Sequence, residues 1–110
     1  MTERRMKETV PLKRRAATLS GNALMKMVAK LGEGWRVEDN RYLVKSYAFP
    51  DFRSGLAYVN KLGELAEQVN HHPQVTLTTS RVELRLWTER VGGLTEIDFA
   101  FASRADTFAQ

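Results

Sequence analysis

Residues 50 to 73 constrain the fold of this chain more than any other stretch. Pro50-Asp51 opens the stretch and His71-His72-Pro73 closes it. Between the two prolines, Phe52, Leu56, Val59, Leu62, Leu65, Ala66 and Val69 recur at steps of three or four residues. That spacing predicts one long helix with Asp51 as its N-cap and an end near Asn70. Its apolar side chains make a face about 100° wide or more, with Lys61, Glu64 and Gln68 on the solvent side. Pro73 prevents the helix from running past the histidine pair.

Segments with strand character lie on both sides of this helix. Trp35 to Glu38 alternates, Asp39-Asn40 supplies a turn, and Tyr42 to Phe49 reads as the returning strand of a β-hairpin. After Pro73, Gln74 to Thr79 is rich in Val and Thr, and Ser80-Arg81 can turn. Val82 to Thr88 then sets Val82, Leu84 and Leu86 on one face and Glu83, Arg85 and Trp87 on the other. A first helix begins after Ser20 or Asn22, with Leu24, Met25, Met27, Val28 and Leu31 as its apolar stripe. A last helix follows Gly92-Gly93, opened by a capping box over Thr95 to Asp98 and continuing through Phe99, Ala102 and Ala105. The order α-β-β-α-β-β-α predicts an α+β fold, a four-stranded antiparallel sheet with helices packed on one face. On the other face, Trp87, the tyrosines and the alternating charges raise the expectation of partial cover by another subunit.

With 110 residues, the chain suits one domain. Its net charge of +4 sits in residues 1–15, where six basic side chains face two acidic ones; the rest holds eleven of each. We therefore expect a disordered basic tail over 1–18 and a folded domain over 19–110. A flexible tail of this kind could be drawn to nucleic acid, but the neutral body offers no basic stripe interleaved with aromatics to support such binding. No apolar run approaches the roughly 18 residues a membrane helix needs, and no secretory signal is read at the start. The absence of cysteine excludes disulfides and thiolate chemistry and fits a cytoplasmic setting. Two histidines without cysteine argue against a structural zinc site.

His71 and His72 are the only histidines, and they are the groups best suited to proton transfer near neutral pH. The helix C-terminus beside them favours a charged ring. A plain helix end with one solvated imidazole is the competing reading of the pair.

Glu67-x-x-x-His71-His72-Pro73, an alternating strand, Thr88, and Gly92-Gly93-Leu94-Thr95-x-x-Asp98 together resemble the pterin-4a-carbinolamine dehydratase family. The resemblance extends upstream through Trp35, Phe49, Phe52 and Ala66, over roughly residues 20–108. It implies a protomer with a four-stranded antiparallel sheet, assembled as a homodimer or a dimer of dimers. It also implies an activity, loss of water from a 4a-hydroxytetrahydropterin, carried by three histidines without metal or organic cofactor. Two of these map onto His71 and His72, with Pro73, Thr88, Arg90 and Val91 lining the pterin pocket. At the third position this chain has Glu89, and an aromatic position six residues past Pro73 is Thr79. Arg85 or Arg90 could pair with Glu89 and hold it ionised. These departures imply weak or lost activity, with Glu89 in place of a catalytic histidine. The alternative is a non-catalytic assembly factor on the same scaffold, as in a family branch that assists Rubisco in α-carboxysomes.

Overall fold

The computed structural model describes residues 18–110. The expected basic tail lies outside the described residues, except for Thr18. The described elements are α1 (Gly21–Ala29), β1 (Arg36–Glu38), β2 (Tyr42–Ala48), α2 (Phe52–Val69), β3 (Gln74–Leu77), β4 (Arg81–Leu86) and α3 (Glu96–Phe108). A single 3-10 turn, Glu89–Val91, separates β4 from α3. The strands form one antiparallel sheet in the order β1-β2-β4-β3, with the helices on one face. This is the α+β arrangement expected from the sequence.

Local chemistry sets the turns. Asp39 and Asn40 both take φ near +55° at the tip of the first hairpin, a conformation that Asp and Asn tolerate better than most residues. Asp51 caps α2 by accepting the Ser54 N–H at 2.8 Å. At the other end Asn70 is left-handed, and both its N–H and that of His71 return to the Ala66 carbonyl. This closing motif turns the chain sharply from α2 toward β3.

The core lies between sheet and helices. Val82, Leu84 and Leu86 of β4 and Leu43 of β2 are fully enclosed. The register sets Leu43 opposite Leu86 and Tyr47 opposite Val82. Gly55 brings α2 close to the sheet, because a Cβ there would lie 3.0 Å from Leu77. In α3, Phe99, Phe101, Ala102 and Ala105 are all buried and join the same core.

Three expectations are corrected. The buried face of α2 runs through Gly55, Tyr58, Leu62, Leu65 and Ala66. Phe52 and Leu56 lie about a quarter turn round the helix and are 51% and 43% exposed, and Val69 is exposed at its end. Tyr58 explains the rotation: its large ring packs against Phe49 and Tyr47, and its hydroxyl donates to the Ala105 carbonyl at 2.8 Å. Met25 points away from the core and is 69% exposed. Tyr47 also leaves the outer sheet face for the core, so that of the strand tyrosines Tyr42 alone stays outside, edge-on to Trp87.

The outer face has an internal cover of its own. Val44 is fully enclosed there. It pairs with Arg36 on one side and Arg85 on the other, and both guanidiniums reach Glu38, at 2.8 and 2.9 Å. The two arginines flank the valine across the sheet while their charged ends meet Glu38.

A second polar cluster closes the opposite end of the core. Asp106 near the end of α3 accepts Trp35 Nε1 at 3.0 Å, Lys45 Nζ at 2.7 Å and the Tyr47 hydroxyl at 2.6 Å. Burial alone would raise the Asp106 pKa, but the donors from Lys45, Tyr47 and Trp35 outweigh it and hold the carboxyl below its ordinary range. Burial, reinforced by Asp106, drives the Tyr47 phenol upward, so it stays neutral and donates.

Candidate functional site

The histidine pair is divided by the turn that carries it. The His71 ring points inward, with its side chain 12% exposed, whereas the His72 side chain is 56% exposed. His72 Nε2 meets Glu67 Oε2 one turn back on α2 at 2.6 Å. One ring is solvated, as the plain helix-end reading expects. The other has a more specific partner.

His71 Nε2 lies 2.6 Å from Asp98 Oδ1 on the first turn of α3. Asp98 is fully buried. Its second oxygen accepts the Thr88 hydroxyl at 2.8 Å and the Thr95 N–H at 3.0 Å. Since Thr88 donates to Asp98, the Thr95 hydroxyl, 2.9 Å from that of Thr88, is the donor between the two threonines. Buried charge is tolerated only when hydrogen-bonded, and this carboxylate is bonded at both oxygens. An ionised carboxylate only accepts, so Nε2 of His71 is the donor to Asp98 and Nδ1 is the ring nitrogen not engaged by it. Phe101 sits edge-on at 6.2 Å and limits the tilt of the ring.

Thr88 and Gly93 pair as an isolated bridge and enclose the 3-10 turn. The Thr88 carbonyl accepts from Val91 and Gly92, and Gly92 takes φ +68°. Within this frame Glu89 and Arg90 are exposed and Val91 is half-buried. Arg85 does not pair with Glu89: it is engaged with Glu38 and stacked over Tyr42 at 5.0 Å. Thr18 and Leu19 pass the same loop. The Thr18 methyl occupies the space a Cβ on Gly93 would need, and the Leu19 N–H donates to the Leu94 carbonyl.

The fold therefore joins His71, Thr88 and Asp98 directly. Pro73 adjoins through the turn, and Glu89, Arg90 and Val91 adjoin through the loop. Thr79 is elsewhere, exposed at the tip of the β3–β4 hairpin and about 16 Å along the strand from Gln74. The residue that sequence reasoning left out of the site is Asp98. Its place in Thr95-x-x-Asp98 marks it as a helix cap, a local role it does fill; its burial was the missing signal.

The family model for pterin 4 alpha carbinolamine dehydratase matches residues 17–108. The chain belongs to the pterin-4a-carbinolamine dehydratase family. A dehydratase-family chain of Rubrobacter xylanophilus, which carries the pterin-4-alpha-carbinolamine dehydratase name provisionally, is 42% identical over 106 residues, 96% of this chain and 98% of its own length. A similarly named chain of Alkaliphilus metalliredigens is 33% identical over 91% of this chain and 90% of its own. Among solved structures, a transcriptional coactivator/pterin dehydratase of Brucella melitensis superposes with a TM-score of 0.80 at 26% identity, covering 86% of this chain and all of the other. A pterin dehydratase-like protein identified as a RuBisCO assembly factor in the alpha-carboxysome superposes with a TM-score of 0.60 at 30% identity, over 70% of this chain and 90% of that one. Among the described residues no group of three His, Cys, Asp or Glu side chains could hold a metal ion, and no helix is long and apolar enough to cross a membrane.

Proposed function

We propose that this chain is a pterin-4a-carbinolamine dehydratase of reduced power. The observation that carries this reading is the His71 ring, held at Nε2 by buried Asp98. In the elimination, the C4a–O bond of the 4a-hydroxytetrahydropterin breaks and the N5–H proton is removed as C4a=N5 forms. His71 Nδ1 takes the N5 proton, and a protonated His72 beside Glu67 gives one to the departing hydroxyl, which leaves as water. Acids and bases suffice for both transfers. Glu89 stands where the family resemblance places a third histidine, and loss of one acid–base group costs about 10²–10⁴-fold in rate. On this reading the protein works in the cytoplasm as a homodimer or dimer of dimers. Pro73, Val91 and Arg90 border the bound ring.

The test is the rate of dehydration of a 4a-hydroxytetrahydropterin by purified protein. Weak acceleration that disappears in His71→Ala and rises in Glu89→His supports the proposal. A rate equal to the spontaneous one in both wild type and Glu89→His removes it.

A second reading is supported by the 30% identity to the RuBisCO assembly factor: a scaffold that assists a protein client and has set catalysis aside. Co-expression with RuBisCO subunits separates the two. An unchanged yield of soluble, assembled enzyme excludes the assembly role.

A further inference from the structure

The facing of α2 leaves a second apolar row on that helix without cover. Phe52, Leu56, Val59 and Gly63 recur at steps of four, three and four residues and fall within about 60° of arc. Phe52 and Leu56 are exposed and stand outside the core, and Val59 is half-buried at its edge. Single exposed apolar side chains are ordinary on a protein surface, whereas a continuous row on one helix marks a contact.

Gly63 closes the row and has no task within the chain. It lies inside the helix, where glycine is less stable than alanine, and its φ is not positive. A Cβ there would meet nothing within 4 Å. Gly55 is the contrast, since its missing Cβ admits Leu77. Gly63 makes a notch of the same kind that opens outward, and such a notch lets a second helix approach closely.

Charge selects the occupant. On the solvent side of the row, Arg53 lies toward the N-terminal end, Asn60 in the middle, and Glu64 and Glu67 toward the C-terminal end. Among the described residues Arg53 and Glu64 enter no ion pair. We propose that this row is the docking face for a second copy of the chain, with the two α2 helices antiparallel about a two-fold axis near Asn60. Such an axis joins the same flank of both helices and reverses their direction. Arg53 of each copy then comes level with Glu67 of the other, seven residues or about 10 Å from the axis. Leu56 of each copy comes level with Gly63 of the other and fills the notch. Parallel helices would instead bring like charges level. Glu67 also meets His72, so the contact reaches the edge of the candidate site. The docking face deepens the homodimer of the proposed function and rests on that reading. Phe52 and Leu56 lie outside the protomer's own core, so the contact shows in association and drops out of unfolding measured on dilute, dissociated chains.

Sedimentation equilibrium of the full chain, with circular dichroism as a check of folding, tests the contact. Wild type should sediment as a dimer or a multiple of one at micromolar concentration. Leu56→Glu should keep its helical signal and weaken association about a hundredfold or more. Arg53→Glu should weaken it about two- to thirtyfold, and adding Glu67→Arg to Arg53→Glu should recover most of that loss. Association as strong in Leu56→Glu as in wild type, or a loss in Arg53→Glu that Glu67→Arg does not recover, overturns the antiparallel docking and leaves a homodimer formed through another surface. Wild type that stays monomeric up to near-millimolar concentration overturns both.

Discussion

Replacing Asp106 with alanine tests how firmly the far end of the core is held. The carboxylate accepts three donors from residues 59 to 71 positions away in sequence. Its removal leaves the Tyr47 hydroxyl and the Trp35 indole in residues only 7% and 8% exposed, and the Lys45 ammonium in a side chain 16% exposed. Each stranded neutral donor costs about 1–3 kcal/mol. Lys45 borders an open groove with Glu33, Ser103 and Gln110, where water can replace part of its lost bond. The total comes to about 3–5 kcal/mol at neutral pH. At about 4–8 °C per kcal/mol for a domain of this size, Tm falls by at least about 12 °C.

Urea unfolding of both proteins, read as a midpoint shift at constant slope, gives the difference directly. The folded Asp106 carboxyl has a depressed pKa, so it binds a proton less readily than in the unfolded chain. Its contribution is complete above the ordinary carboxylate value of 3.8 and is lost as pH falls through the lower folded value. The gap between wild type and Asp106→Ala should therefore be widest near pH 7 and narrow toward pH 2.5. A loss under about 1 kcal/mol, less than a single stranded donor, or a gap independent of pH would refute the argument.

Three further outcomes are expected. Asp98→Asn sets an amide N–H₂ against the His71 ring or against the Thr88 and Thr95 donors; it should cost about 1–3 kcal/mol in urea unfolding and speed diethylpyrocarbonate modification of His71. On α2, Leu62→Ala should cost about 2–5 kcal/mol and Leu56→Ala under about 1 kcal/mol, since the first side chain is fully buried and the second 43% exposed; equal losses would mean the buried face is assigned wrongly. Asn70→Ala should cost about 1 kcal/mol for its left-handed backbone and Asn70→Gly almost nothing, both measurable as thermal shifts.

What the sequence makes legible here is mostly local. Alternation identifies β4, since one face of that strand is buried, and the Asp51 cap and Pro73 bound α2 from its two ends. The facing of α2 is less accessible. Phe52 and Leu56 satisfy the helical period as well as Gly55 and Tyr58 do, and the close approach of Gly55 to Leu77 is a tertiary fact. The same limit applies in the site. His71 and Asp98 are 27 positions apart, and a capping role already accounts for Asp98 within its own four residues. Lys45 reads as an ordinary polar position until Asp106, on another element, turns it inward over the Tyr47 ring.

The loop between Thr88 and Gly93 has a consequence for how such a protein can change. Its backbone is secured by its two ends, the Thr88–Gly93 bridge and the left-handed Gly92, and its anchor to the helix is the Thr88 hydroxyl on Asp98. None of these ties uses the side chain of residue 89. Chemistry at that position can thus be exchanged, histidine for carboxylate or back again, without a toll on the scaffold. Substitution at residue 89 can therefore probe the chemistry of the loop while the molecule stays folded.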